Sequence, residues 1–170
     1  MVHSTDNYCI GKGILSVADA PAAVPVFAEI GNCPMIQLEV TEERLEHFSS
    51  RGGLKNRDLY PLVQIKYNVN FECDELTTDN LLLFVKGTLS GSDILAFQDL
   101  TKEYALQFVE DNPIGPNHTW KFWRGILSAN GALEQIGDDW KKIAFKFEGL
   151  ADETNHPTSP YFTVEGVTTT

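Results

Sequence analysis

The stretch "LVQIKYNVNFECDE" restricts the fold more than any other part of this chain. In it Val63, Ile65, Tyr67, Val69, Phe71 and Cys73 alternate with Gln64, Lys66, Asn68, Asn70, Glu72 and Asp74. A helix would scatter those apolar side chains around its circumference, whereas a strand puts them all on one face. Alternation sustained this long predicts an antiparallel strand with one face on a core and one in water. Pro61, just before it, suits a strand start, where a missing N–H is tolerated. Val63, Ile65, Val69 and Phe71 are expected to pack in the subunit's own core, with Asn68 and Asn70 facing solvent.

Other segments repeat the pattern. "MIQLEVT" sets Ile36, Leu38 and Val40 against Gln37, Glu39 and Thr41, and "KIAFKFEG" sets Ile143, Phe145 and Phe147 against Lys142, Lys146 and Glu148. "GKGILSVA", "VPVFAEIG", "YALQFV", "TWKFWRGIL" and "YFTVEG" are rich in aromatic and β-branched residues and read as further strands. "GNCP", "DNPIGPN", "SANG" and "ETNHPTSP" punctuate them as turns, and Asp138-Asp139 reads as a hairpin turn before a strand beginning at Trp140. Only "LTTDNLLLFVKGT" breaks the alternation. Thr77 or Thr78 supplies an N-cap, Asp79 an acidic first turn, and Leu81, Leu82, Phe84 and Val85 an apolar stripe. Lys86 ends the last turn and Gly87 takes the C′ position, so a helix is expected over 77–87. The fold class is therefore mainly β: an antiparallel sandwich or barrel, one domain over 1–170, with one short helix packed on a sheet. Residues 1–10 and 166–170 are expected to be flexible termini.

Between two of these strands lies "ERLEHFSSRGGLKNRD", residues 43–58. Hairpin turns need only about two to five residues, and structureless loops beyond about 12–15 residues are uncommon unless they have a function. The segment is polar, charged and twice-glycine, so it reads as a long loop that serves something other than its own core.

Composition narrows the function. Forty-two per cent hydrophobic residues with 10 Phe and 3 Trp describe a folded domain. No run approaches the roughly 18 apolar residues that a membrane helix needs, and "MVHSTDNYCIGKGIL" lacks the basic-then-apolar order of a secretory signal. A net charge of −11, from 13 basic and 24 acidic residues, argues against ordinary nucleic-acid binding, which rests on cations neutralising phosphates. Cys9, Cys33 and Cys73 are odd in number and form no CxxC, so neither a disulfide framework nor a zinc site follows; Cys73 reads as a buried thiol. His3, His47, His118 and His156 have no metal-ligand spacing. Ser49-Ser50 is not a nucleophile elbow, and Gly11 to Gly13 is too short for a phosphate loop. No catalytic residue, metal or cofactor is assigned.

Three segments in order carry a family resemblance: "EIGNCPMIQLEV", then "LEHFSSRGGLKNRD", then "DELTTDNLLLFVKGT" beyond the long alternating strand. Together they resemble the major tail tube proteins of long-tailed bacteriophages with non-contractile tails. The "LEHFSS…GLK" segment, residues 45–55, is the most distinctive, and "DELT…NL", residues 74–81, is the second. The C-terminal half resembles the family only in its strands and in "EGLADET" to "PYFTV".

The resemblance implies a structural virion protein, made in the host bacterial cytoplasm and assembled into the phage tail. Such subunits form homo-hexameric rings whose strands join into one inner barrel, and the rings stack into a tube through which the genome passes. The implied partners are further copies, the tape measure, terminator and distal tail proteins, and passing DNA that is not specifically bound; no membrane is involved. It marks 43–58 as an inter-subunit loop, with Glu43, Leu45, His47, Phe48, Ser49, Ser50, Arg51, Leu54 and Lys55 as its contact residues. Gln37, Glu39, Asn68, Asn70 and Glu72 become candidates to face the lumen. Lys66, Lys142 and Lys146 fall on the same polar faces, so they either point outward or are neutralised by neighbouring carboxylates. Two alternatives stay open: a carbohydrate- or ligand-binding β-sandwich using Trp120 and Trp123, and another virion component such as a tail terminator or a capsid decoration protein.

Overall fold

A computed structural model of the chain describes Thr5 and residues 8–166. The remaining positions of the two expected flexible termini lie outside the described residues. The strands are β1 (Gly13–Ala20), β2 (Ala28–Glu29), β3 (Met35–Arg44), β4 (His47–Ser49), β5 (Asn56–Leu59) and β6 (Leu62–Cys73). After the helix α1 (Thr78–Val85) come β7 (Thr88–Ser90), β8 (Asp93–Leu95), β9 (Glu103–Glu110), β10 (Thr119–Ala129), β11 (Ile143–Gly149) and β12 (Phe162–Glu165). One antiparallel sheet has the order β2-β1-β9-β10-β11-β6-β3, with β12 beside the first half of β10. β4–β5 and β7–β8 form two small hairpins. The chain is thus mainly β with one short helix, as the alternation requires.

The core lies on one face of this sheet. Leu15, Leu106, Phe122, Leu127, Val69, Phe71, Phe145 and Phe147 are buried there. Phe71 and Phe145 stack at 5.1 Å, and Phe84 of α1 meets Phe145 edge-on at 6.3 Å, so the helix covers the same face. Tyr67 is an aromatic hub, with Phe122 at 5.7 Å and Phe162 at 5.4 Å. Its hydroxyl donates to the carbonyl of Tyr161. Gly149 exists for this ring: a Cβ there would fall 1.9 Å from a Tyr67 ring carbon.

The alternation of β6 is satisfied over only half its length. Val69 is 1% exposed and Phe71 0%, but Val63 is 56% exposed and Ile65 43%. The expectation that Val63 and Ile65 join the core is therefore corrected. The cause is strand length, because β11 pairs with β6 only from Ile143↔Cys73 to Glu148↔Asn68. Beyond Asn68, β6 runs on with β3 alone, and there Tyr67 still packs on Phe122 and Phe162 while Ile65 and Val63 further out do not reach the core.

The helix begins as expected, with Thr77 Oγ1 accepting from Asn80 N–H at 3.2 Å. Its end differs. The left-handed residue is Lys86 (φ 48), not Gly87, and the Gly87 N–H donates to the Leu82 carbonyl. Glycine is needed at 87 for close approach, since a Cβ would lie 2.8 Å from the Leu95 carbonyl oxygen. Asn80 is buried, and its amide donates to the Ile30 and Glu75 carbonyls at 2.8 Å each, which ties α1 to the strands. Cys73 is buried and free, and Cys33 is half-buried and free. Asp138-Asp139 does not form a hairpin turn: residues 130–142 are an irregular connection, and β11 starts only at Ile143.

Candidate assembly surfaces

Residues 43–58 are not a structureless loop. β3 continues to Arg44, β4 and β5 pair beyond it, and the whole forms an arm that extends the β3–β6 ribbon. Opposite charges meet across this arm, which a reading by polarity alone misses. Arg57 lies 2.9 Å from Glu46, and His47 Nδ1 lies 2.6 Å from Asp58. The hydrogen bond from His47 holds the Asp58 carboxyl below its ordinary range. Arg57 sits 4.5 Å over the Tyr60 ring. Exposed pairs contribute little one by one, but here they accompany a hydrogen-bonded ladder. Of the predicted contact residues, Glu43 is the penultimate residue of β3, and His47, Phe48 and Ser49 form β4. Ser50, Arg51, Leu54 and Lys55 make the tip, while Leu45 lies between β3 and β4.

The ribbon below the arm presents an unusual surface. Leu38, Val40, Leu62, Val63 and Ile65 are all exposed, and Leu45, Phe48, Leu59 and Tyr60 continue the apolar exposure into the arm. Among the described residues, β3 pairs only with β6, so its outer edge is unpaired along its length. β6 is likewise unpaired on its other side before Asn68. The register shifts only at the arm end, between Glu43 and Arg44; a long uncovered edge of this kind invites pairing with another chain, and a monomer ordinarily blocks it.

The opposite face of the sheet is polar. The register sets Gln37 beside Asn70 and Lys146, and Glu39 beside Asn68 and Glu148. Glu72 lies one pair further on, so the five candidate lumen residues share one continuous face. Lys146 lies 2.8 Å from Glu148, and Lys142 lies 3.4 Å from Glu72. These two lysines therefore belong to the polar face and are neutralised locally. With Lys66, the patch holds three ammonium groups against the carboxylates Glu39, Glu43, Glu72 and Glu148. It is close to neutral, and less acidic than the chain as a whole.

The two tryptophans of the sugar-platform alternative are engaged in packing. Trp120 lies 6.3 Å from Phe162 and its Nε1–H donates to Glu110 at 2.9 Å. Trp123 stacks on His156 with ring centres 3.7 Å apart. Glu110 was not legible from the sequence as a special residue. Its carboxylate accepts from Trp120, from the His118 backbone N–H and from the Asn112 amide, and so pins the 111–118 turn. Burial pushes this carboxyl up, but the Trp120 and His118 hydrogen bonds outweigh burial and hold it below its ordinary value. A depressed value means that the stabilisation is complete above about pH 4.3, the unfolded range, and is lost as pH falls through the folded value. Urea denaturation should show Glu110→Gln less stable than the parent at pH 7, with the gap narrowing at pH 3. A gap independent of pH would show that the charge contributes nothing.

Among the described residues no group of three His, Cys, Asp or Glu could hold a metal ion, and no helix is long and apolar enough to cross a membrane. No family model and no curated protein matches the chain. Among solved structures it is similar to a chain of an extracellular contractile injection system, a PVC sheath–tube complex in the extended state. The identity is 14%, with 92% of this chain and 89% of that one covered and a TM-score of 0.43. At that distance the likeness carries no functional argument.

Proposed function

We propose that this chain is the structural subunit of a phage-tail-type tube, built from sixfold rings that stack into a channel for DNA. One observation carries the reading: the β3–β6 ribbon is longer than the core beneath it and exposes both an apolar face and an unpaired strand edge. Within one copy those groups gain nothing from being there. A second copy laid along the ribbon would bury the apolar strip and satisfy the edge, and a head-to-tail contact of that kind builds a ring where its rotation closes. Of the three segments that resemble tail tube proteins, residues 29–40 lead into and form much of β3, residues 45–58 form the arm, and residues 74–88 hold α1 beyond the ribbon.

In this reading the polar face from Gln37 to Glu72 lines the channel, and the near-neutral, lysine-paired surface offers passing phosphates no array of free cations. Its partners in the virion are further copies and the tape measure, terminator and distal tail proteins that the resemblance implies. Negative-stain images of the purified protein test the reading. Rings and stacked tubes are expected; a persistent monomer at high protein concentration would overturn it.

A further inference from the structure

Cys33 and Cys73, far apart in the chain, come together at the base of the ribbon. Met35 pairs with Glu72, and the Asp74 N–H donates to the Asn32 carbonyl at 3.2 Å. Cys73 lies between those two links and so faces the Cys33–Pro34 step. Facing residues of an antiparallel pair hold their Cα atoms about 4.5–5.5 Å apart, within the span of about 4.4–6.8 Å that a disulfide bridges. The side chains also meet. Cys33 packs on the core cluster that contains Cys73, and the two thiols share a hydrogen bond.

The two sulfurs differ in access and in surroundings. Cys73 is fully buried, and its sulfur accepts from the Asn80 amide at 3.3 Å. The Cys33 hydrogen bond holds the Cys73 thiol below its ordinary value, and the same bond together with burial pushes Cys33 up. Cys33 is half-buried and borders an open cleft of about 600 Å³, with Lys12, Gly13 and Gln37 on the cleft's other walls. A small molecule in that cleft reaches Cys33 and not Cys73.

We propose that Cys33 and Cys73 are a disulfide-forming pair, oxidised by a small-molecule disulfide of the glutathione class. The Cys33 proton passes along the shared hydrogen bond to Cys73, and the Cys33 thiolate attacks one sulfur of the reagent. A mixed disulfide forms and the first small thiolate leaves. Cys73 then gives its proton to solvent, attacks the Cys33 sulfur and expels the second small thiolate. The two protein sulfurs are oxidised by two electrons, and the reagent's S–S bond is reduced by the same two. β3 begins at Met35 and β6 ends at Cys73, so the new bond closes the ribbon and its arm into one covalent loop. The cross-link lies within one copy and stands whether or not copies assemble. A reducing cytoplasm keeps such a pair as thiols, and an oxidising exterior closes it.

The test uses the folded full-length chain with Cys9→Ser, which removes the exposed third thiol. Oxidised glutathione should consume both remaining thiols and leave no glutathione bound, and mass spectrometry should find the Cys33 and Cys73 peptides joined. Limited trypsin cleavage after exposed Arg51 or Lys55 should then release two fragments only on reduction. Adding Cys73→Ala should trap one glutathione on Cys33. Adding Cys33→Ala instead should leave Cys73 reacting roughly tenfold or more slowly, because a buried thiol is inert. Thiols that persist in the folded Cys9→Ser chain, a separate glutathione on each cysteine, or equal uptake by the two further variants overturns the inference. The first two outcomes are read without any core substitution, so a variant that fails to fold cannot obscure them.

Discussion

Phe71→Ala is expected to lower the unfolding free energy by about 3–5 kcal/mol, while Val63→Ala with Ile65→Ala should cost the monomer only about 0.5 kcal/mol or less. All three residues belong to one alternating series on one strand. Phe71 stacks on Phe145 and is fully buried, so truncation leaves a cavity that its rigid aromatic neighbours cannot fill. Val63 and Ile65 lie past the end of β11, where truncation opens no cavity. Assembly should rank the variants the other way: Val63→Ala with Ile65→Ala is expected to abolish ring formation, because those side chains make the strip that a neighbour covers. Urea denaturation of dilute protein gives the first ranking, and sedimentation velocity at high concentration gives the second. A loss of stability from the double variant close to that of Phe71→Ala would mean that the ribbon is already packed within one copy.

That contrast marks how far the sequence could be read. Alternation reports that a strand has two chemically different faces, and it placed β3, β6 and β11 correctly. It does not report what lies against the apolar face. Val63 and Val69 look alike in the pattern, and only the length of β11, whose pairing with β6 ends at Glu148↔Asn68, separates them. The arm was hidden for another reason. Its strands bury nothing, so they carry no apolar period, and their cross-strand charges become visible only once the register is known. β2 is short where "VPVFAEIG" suggested a full strand, and Pro25 in that segment has no N–H to offer a ladder. The β7–β8 hairpin had a usable signal in Gly91-Ser92, a two-residue turn with Gly91 at φ 63. Gly87 shows a correct boundary with the wrong cause: the helix does stop there, but the left-handed turn is made by Lys86.

The assignment of the channel surface is open to a charge reversal on the polar face. Glu39→Lys with Glu72→Lys should leave each subunit folded, since both side chains sit on the solvated side of β3 and β6, away from the core. The patch, with four carboxylates against three ammonium groups in the parent, becomes two against five. Glu72→Lys also releases Lys142, which lies 3.4 Å from Glu72, so one substitution creates two unpaired cations. In the tube proposed above, every subunit of every ring repeats this change along the channel. Each new phosphate contact strengthens DNA binding and makes it steeply salt-dependent. Variant tubes should therefore retain duplex DNA at low salt and release it as salt rises, and phage carrying the variant should eject their genome more slowly at low salt. Parent tubes should do neither. Normal ejection and no DNA retention at any salt, from tubes of normal appearance, would place Glu39 and Glu72 on the outside of the tube and move the lumen to another face of the subunit.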